Sequence, residues 1–302
     1  MKKTICCIGS SGFIGKHVYR DMQNTGLYEI YRFSSKDNKF IDKCNITKFD
    51  YLIFSAGIHN ESEKDSKNVY YESKKIFKKT KKLFLNSNSI IFISSFKTSF
   101  NTNEKIVKST NIYNFYNHDN YYGKSKIIFE KVFKKFCSYY NKKYTIVCPS
   151  HVIGPEDEKF SANGKFFYEI LKKKIIFFPE CNISIVDVRN LSKIITNLIV
   201  KEKFNNKKII VNDKSLKLKE YIKLIKFNQK YFLLIKIYFP LIKIFFWVNH
   251  LLLMLNLTKK NILSNSRIKY IELNPITEVT DDYKEISFGK TIEDTKEYFS
   301  RL

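Results

Sequence analysis

The sequence predicts an α/β chain: a parallel sheet covered by helices on both faces, with a smaller lobe attached. Short apolar runs alternate with Lys-rich amphipathic stretches through the first half, the pattern of strands connected by crossover helices. A glycine-rich turn, Gly9-Ser10-Ser11-Gly12-Phe13-Ile14-Gly15, follows the first apolar run and opens the first helical pattern. The 302 residues, 44% apolar and 27% charged, suffice for one large α/β domain and a second lobe with a sizeable core.

Thr4–Ile8 reads as a strand, Gly12–Asn24 as a helix and Tyr28–Phe33 as a second strand. Tyr51–Ser55, Ser89–Ser94 and Lys143–Cys148 are further strands, and Asn68–Asn86 and Tyr122–Tyr140 carry helical spacing between them. After Pro155 the pattern is irregular: Ile183–Val188 reads as a strand, Asn190–Lys201 as a helix and Lys208–Val211 as a strand. This divides the chain into a core over residues 1–155, with a return segment at about 182–212, and a lobe formed by 156–181 and 213–302. Tyr231–Leu257 is rich in Leu, Ile and Phe but broken by Lys236, Pro240, Lys243, Asn249 and His250, too punctuated for a spanning helix. The favoured expectation is two helices packed in the smaller lobe. The sharper one is an amphipathic segment resting on an anionic membrane.

The formal net charge of +25 would suit nucleic acid, but the excess is nearly all Lys spread along the chain. Arg, the residue of bidentate phosphate and base recognition, occurs only at Arg20, Arg32, Arg189, Arg267 and Arg301, so no nucleic-acid partner is expected. Cys6, Cys7, Cys44, Cys137, Cys148 and Cys181 show no metal-ligand spacing, so no metal is expected, and Cys6-Cys7 sit in a strand-like run as small core residues. No secretory signal precedes the first strand. The expected compartment is reducing cytoplasm, or the inner membrane face if 231–257 docks there.

The glycine-rich turn has the context that a dinucleotide-binding fingerprint requires. Gly9 permits the tight turn, Gly12 lets backbone approach a pyrophosphate, and Gly15 lets the helix pack close on the sheet. The helix N-terminus offers unpaired N–H groups to phosphates, so Ser11, Phe13 and Ile14 are also expected cofactor contacts. In Tyr122-Gly123-Lys124-Ser125-Lys126, the Tyr and the second Lys share a helix face. An ammonium beside a phenol favours the phenolate and makes Tyr122 a usable acid/base. The strand before it ends in Ser94-Ser95, at the sheet edge where ligands bind in such folds. Ser95 is placed to hydrogen-bond a substrate hydroxyl or carbonyl, and Ser94 is the neighbour expected to satisfy backbone.

These motifs, in this order, resemble the extended short-chain dehydrogenase/reductases, the NAD-dependent epimerase/dehydratase family. Ser55-Ala56-Gly57 resembles the strand-end turn beside the cofactor in that family. Pro149-Ser150-His151-Val152-Ile153-Gly154-Pro155 resembles its R-P-x-x-V-x-G-P stretch, with Cys148 in place of the Arg. Ile185–Val188, and Tyr283–Phe288 with Thr291–Thr295, are similar to later family segments. The resemblance implies a Rossmann fold, a doubly wound parallel sheet that holds NAD or NADP, and a smaller C-terminal substrate lobe. It implies Ser95, Tyr122 and Lys126 as the catalytic set, with Tyr122, Lys126, Ser55, Ala56, Gly57 and Pro149 among the cofactor contacts. It also implies a homodimer through the helices beginning near Asn68 and Tyr122, and a nucleotide-activated or lipid-linked sugar as substrate.

Departures from the family narrow the reading. No acid ends the second strand. There Arg32, Ser34, Ser35 and Lys36 could accept a 2′-phosphate, which leans toward NADP; otherwise Arg32 faces solvent and Asp37 or Asp42 takes the ribose. Asn45 could contact adenine across a shortened connection. Family dehydratases carry Asp-Glu after the strand-end hydroxyl, and Phe96-Lys97 stands here. Epimerase-reductases of fucose synthesis carry a Cys that Lys97-Thr98 does not supply. Simple 4-keto reduction or C4 epimerisation in surface-polysaccharide assembly remains. His59, His151 and Arg267 are candidate substrate contacts, the two His being otherwise satisfied loop residues. The rival readings are a hydroxysteroid- or flavonoid-type ketone reductase and a non-catalytic dinucleotide sensor.

Overall fold

The computed structural model describes residues 2–33, 48–57, 63–100, 105–110, 121–229, 231–255, 257, 265–280 and 285–302. Ser34, Asn45 and His59 lie outside the described residues, as do the side chains of Tyr122 and Arg267.

The first half forms β1 (Lys3–Ile8), α1 (Phe13–Asn24), β2 (Tyr28–Phe33), β3 (Phe49–Phe54), α2 (Glu63–Leu85) and β4 (Ser87–Ile93). A short 3₁₀ turn (Phe96–Ser99), β5 (Ile106–Val107), α3 (Tyr121–Tyr139), β6 (Lys143–Pro149) and β7 (His151–Ile153) follow. The second half contains α4 (Ala162–Lys172), β8 (Ile175–Pro179), β9 (Asn182–Asp187), α5 (Val188–Val200), β10 (Lys207–Val211) and β11 (Lys214–Lys217). It ends with α6 (Leu218–Ile225), β12 (Leu233–Ile237), α7 (Phe239–Met254), α8 (Asn265–Leu273), β13 (Ile276–Thr277) and α9 (Phe288–Ser300).

Among the described residues, six parallel strands form the central sheet in the order β10-β6-β4-β3-β1-β2. Alternation along each strand splits the core into two layers. Ile5, Cys7, Ile53, Ile91 and Val147 face α1 and α5, where they meet Val18, Met22, Leu191 and Ile195. Cys6, Ile8, Leu52, Phe54, Phe92 and Ile146 face α2 and α3, where they meet Phe84, Phe129 and Phe133. Phe92 stacks between Phe54 at 5.5 Å and Phe133 at 4.8 Å. Burying each such ring stabilises by about 1.5–3 kcal/mol. A row of aromatics thereby joins the sheet to α3 and fixes the helix that carries Tyr122 and Lys126.

The strand at 182–187 does not enter the central sheet. β9 pairs with β7 in parallel and with β11 antiparallel, forming a separate three-stranded sheet. That sheet packs with α4, α6 and α9 around Phe167, Ile185, Tyr221, Ile222 and Phe299. Arg189 ties the lobe together, bridging Asp187 at 2.7 Å and Asp294 at 2.5 Å.

The expectation of two packed helices over Tyr231–Leu257 is corrected. The segment forms one strand, β12, which pairs with β8, and one helix, α7. Tertiary pairing with β8 takes up the aliphatic run Leu233–Ile237, in which Ile235 and Ile237 are β-branched, and α7 starts at Phe239 beside Pro240, where a missing N–H costs nothing. No helix among the described residues is long and apolar enough to cross a membrane.

Candidate functional site

Four described features meet at the C-terminal edge of the sheet. Register places Ile8, Phe54, Phe92 and Ile146 in one row across β1, β3, β4 and β6. The glycine-rich turn, Ser55–Gly57, Ser94-Ser95 and Pro149 therefore leave the sheet side by side. The strand order reverses between β1 and β3, and that switch point is where open α/β sheets form a ligand crevice.

Two glycines in the turn are sterically required. Gly9 has φ +87°, and a Cβ there would lie 2.6 Å from the Ala56 backbone nitrogen. A Cβ on Gly15 would lie 2.1 Å from the Gly9 carbonyl oxygen and 2.7 Å from Ser55 Oγ. Ser55 locks the two turns together, donating through both N–H and Oγ to the Ile8 carbonyl at 2.9 Å. Gly12 is the N-cap of α1 and makes no side-chain cap hydrogen bond, and the first turn carries no acid. The N–H groups of its first turn, at Phe13 and Ile14 beside Ser11, have no intrahelical partner and would be open to an anion. This geometry fits the pyrophosphate of a dinucleotide.

Arg32, near the end of β2, is exposed to solvent yet folds back onto the turn. Its Nε donates to Ser10 Oγ at 3.2 Å and its guanidinium lies 4.4 Å over the Tyr19 ring. A cation is thus parked over the turn.

On the other flank, α3 presents Lys126. Its Nζ lies 3.3 Å from where a Cβ on Gly57 would stand, so the ammonium abuts the strand-end turn of β3. Burial pushes the Lys126 pKa below the usual lysine range, and the Glu130 carboxylate one turn on works against that shift. Ser95 is buried and caps the 3₁₀ turn, its Oγ accepting from Lys97 N–H at 3.4 Å. Pro149 ends β6, opposite Val211 of β10.

Sequence reasoning missed the buried cluster behind these groups. Glu130 accepts hydrogen bonds from Ser94 Oγ and Thr98 Oγ1, both at 2.6 Å, and an ion pair from Lys208 Nζ at 3.2 Å. Lys208 also donates to Thr98 Oγ1 at 2.7 Å. Ser94, expected to satisfy backbone, spends its hydroxyl on a carboxylate instead. Glu130 left a signal: it is the lone acid of α3 and falls on the stripe of Phe129 and Phe133. Lys208, one of two lysines opening β10, left none. Cys148 borders the cluster, with burial foremost and then Glu130 pushing its thiol up to about 12. The described cysteines Cys6, Cys7, Cys137, Cys148 and Cys181 are all buried.

His151 lies in β7. Its Nδ1 lies 2.9 Å from the Ser184 carbonyl, and its ring meets Phe96 at 5.0 Å and Tyr270 at 5.7 Å edge-on. A cleft of about 390 Å³ on the β10 flank is lined by Thr145, Asn197, Lys207 and Thr280, and none of the candidate residues lines it.

A model of the NAD dependent epimerase/dehydratase family matches residues 5–176. No curated protein sequence matches the chain. Among solved structures, the protein gox2253 superposes with a TM-score of 0.81 at 15% identity, covering 100% of this chain and 98% of that one. UDP-glucose 4-epimerase of Thermotoga maritima, solved with UDP-glucose, gives a TM-score of 0.70 at 18% identity over 99% of both chains. RMD of Pseudomonas aeruginosa, solved with NADPH, gives 0.70 at 14% identity over 100% of both.

Proposed function

We propose that this chain, which belongs to the NAD-dependent epimerase/dehydratase family, is a C4 epimerase or 4-keto reductase of a nucleotide-activated or lipid-linked sugar in glycan assembly. One observation carries the reading: the Lys126 ammonium abuts Gly57, one strand over from the glycine turn, at the edge where a dinucleotide would lie. The Gly9–Gly15 turn and the uncapped start of α1 would hold the pyrophosphate, with Ser55, Ala56, Gly57 and Pro149 flanking it. A bound nicotinamide supplies hydride transfer to or from the sugar carbon. Tyr122 exchanges the proton of the reacting sugar oxygen. Lys126 holds the phenolate form of Tyr122 within reach of working pH and binds the nicotinamide ribose. Ser95 orients the reacting oxygen. The Arg32 guanidinium over the turn supports NADP over NAD, because a 2′-phosphate would find a cation already held by Tyr19 and Ser10.

The outer face of α7 supports a sugar over a steroid-like substrate. Trp247, Leu251 and Met254 are exposed on it, so the apolar segment that would suit a hydrophobic substrate turns these side chains to solvent. We place the dimer contact on α2 and α3, which pack together on one face of the sheet.

Calorimetric titration with NAD, NADH, NADP and NADPH tests the reading. Exchangeable binding that favours NADPH fits a reductase. Tightly retained NAD fits an epimerase that recycles its hydride in place. Binding of none of the four refutes the reading.

A further inference from the structure

We infer that the outer face of α7 docks the protein onto an anionic lipid bilayer, lying in the headgroup layer without crossing it. The helix touches the protein along one narrow stripe: Ile242 and Asn249 are buried and Phe246 is half-buried. At about 100° per residue, the opposite side collects Leu241, Ile244, Trp247, Val248 and Leu251, with Leu255 just past the helix end, over an arc of about 120°. All six are exposed, Trp247 at 66% and Ile244 at 59%. A soluble surface helix normally turns charge outward, so an apolar outer face marks a contact surface. The strand that leads into it continues the pattern. Leu233 of β12 stands opposite Ile175 of β8, and both are exposed, as is Tyr238 at the junction.

The charge pattern selects the occupant. Between Glu220 and Glu272 the sequence holds no Asp or Glu, while nine Lys or Arg fall in that stretch, of which Lys226 is buried and Lys236 pairs with Glu180. Lys243 borders the apolar face, its ammonium 4.7 Å over the Phe239 ring and paired with Glu272 at 3.1 Å, so its stem lies along apolar surface with a charge at the rim. A second copy would bring two such basic segments together, and like charge opposes that. An anionic headgroup layer complements them. The helix has 16 residues, about 24 Å at 1.5 Å per residue, short of a hydrocarbon core of about 30 Å. It therefore rests on the surface.

Trp247 is the chain's single tryptophan and reports on this face directly. The full chain is titrated with vesicles of phosphatidylcholine alone and of phosphatidylcholine with phosphatidylglycerol, following Trp247 emission and co-sedimentation. The expected result is a blue shift and pelleting with the anionic vesicles, at least ten-fold weaker with the neutral ones and weakened by salt. The triple variant I244S/V248S/L251S keeps its folded circular dichroism and loses the pelleting at least ten-fold. Failure to bind anionic vesicles overturns the inference, as does a blue-shifted Trp247 in a lipid-free dimer that the triple variant dissociates. Neither readout depends on cofactor or turnover, so this inference and the catalytic reading fail separately.

Discussion

The Glu130 carboxylate and the Lys208 ammonium lie 3.2 Å apart, with both side chains less than a tenth exposed. The pair joins α3, one turn beyond Lys126, to the edge strand β10, and it carries the hydroxyls of Ser94 and Thr98. Two buried charges cost desolvation that their mutual attraction and the added hydrogen bonds must offset. The pair thus contributes position more than net stability. It holds the end of β4, the 3₁₀ turn and α3 in one arrangement behind Ser95.

Breaking that pair from one side leaves a buried charge uncompensated. Glu130→Ala is expected to lose about 3–5 kcal/mol. The double variant Glu130→Gln/Lys208→Met is expected to recover most of it. Urea unfolding monitored by circular dichroism measures both. Equal losses in the single and the double variant would show that the two charges do not compensate each other.

The proposed proton relay would rest on the Tyr122 hydroxyl. Tyr122→Phe is expected to lower turnover by about two to four orders of magnitude with dinucleotide affinity nearly intact. Lys126→Met is expected to lower both, because its ammonium would serve ribose and phenol together. Steady-state kinetics beside calorimetry separate the two outcomes. Undiminished turnover in Tyr122→Phe removes the catalytic assignment.

Cofactor choice is expected to follow Arg32. Arg32→Ala removes the cation over the glycine turn, and NADPH affinity should fall about ten-fold or more while NADH affinity changes little. A hydrogen bond to a charged group contributes about 1.5–3 kcal/mol. Parallel losses for both cofactors would instead assign Arg32 to holding the turn itself.

Glu156 links acid stability to the same region. Its carboxyl receives two Arg20 hydrogen bonds at 2.9 and 2.8 Å, which hold its pKa down at about 2 against an ordinary 4.5. A carboxyl with a depressed folded-state pKa binds fewer protons folded than unfolded. Its stabilising contribution is therefore full above pH 4.5 and lost as pH falls toward 2. Glu156→Gln is expected to flatten the stability curve in that window and leave it unchanged in shape above it. Thermal unfolding across pH 2 to 6 reads the difference.

The elements of the first half were legible because their signals are local. The apolar run before Gly9, the turn and the helix after it are contiguous in sequence, and the structure places them at Lys3–Ile8 and Phe13–Asn24. Tyr28–Phe33 was legible to the residue, since it alternates and is bounded by Gly26 and the polar run from Ser34. The pattern of Ile183–Val188 was equally plain, but its pairing was not. A strand's alternation says which face is buried and nothing about which strand lies beside it.

The sequence by itself determined the alternation of strands and helices, the glycine turn that only glycine can make at Gly9 and Gly15, and the helical spacing that puts Tyr122 and Lys126 on one face. Each is set by sterics or periodicity within a few residues. Tertiary structure alone decided that Lys126 meets Gly57, that Glu130 finds Lys208 from 78 residues away, and that α7 turns its apolar side outward. These depend on how distant segments pack, and burial there is a property of the whole assembly of elements. The same Leu and Ile run that would fill a core becomes a surface, while Phe167, Tyr221 and Phe299 fill the core of the lobe.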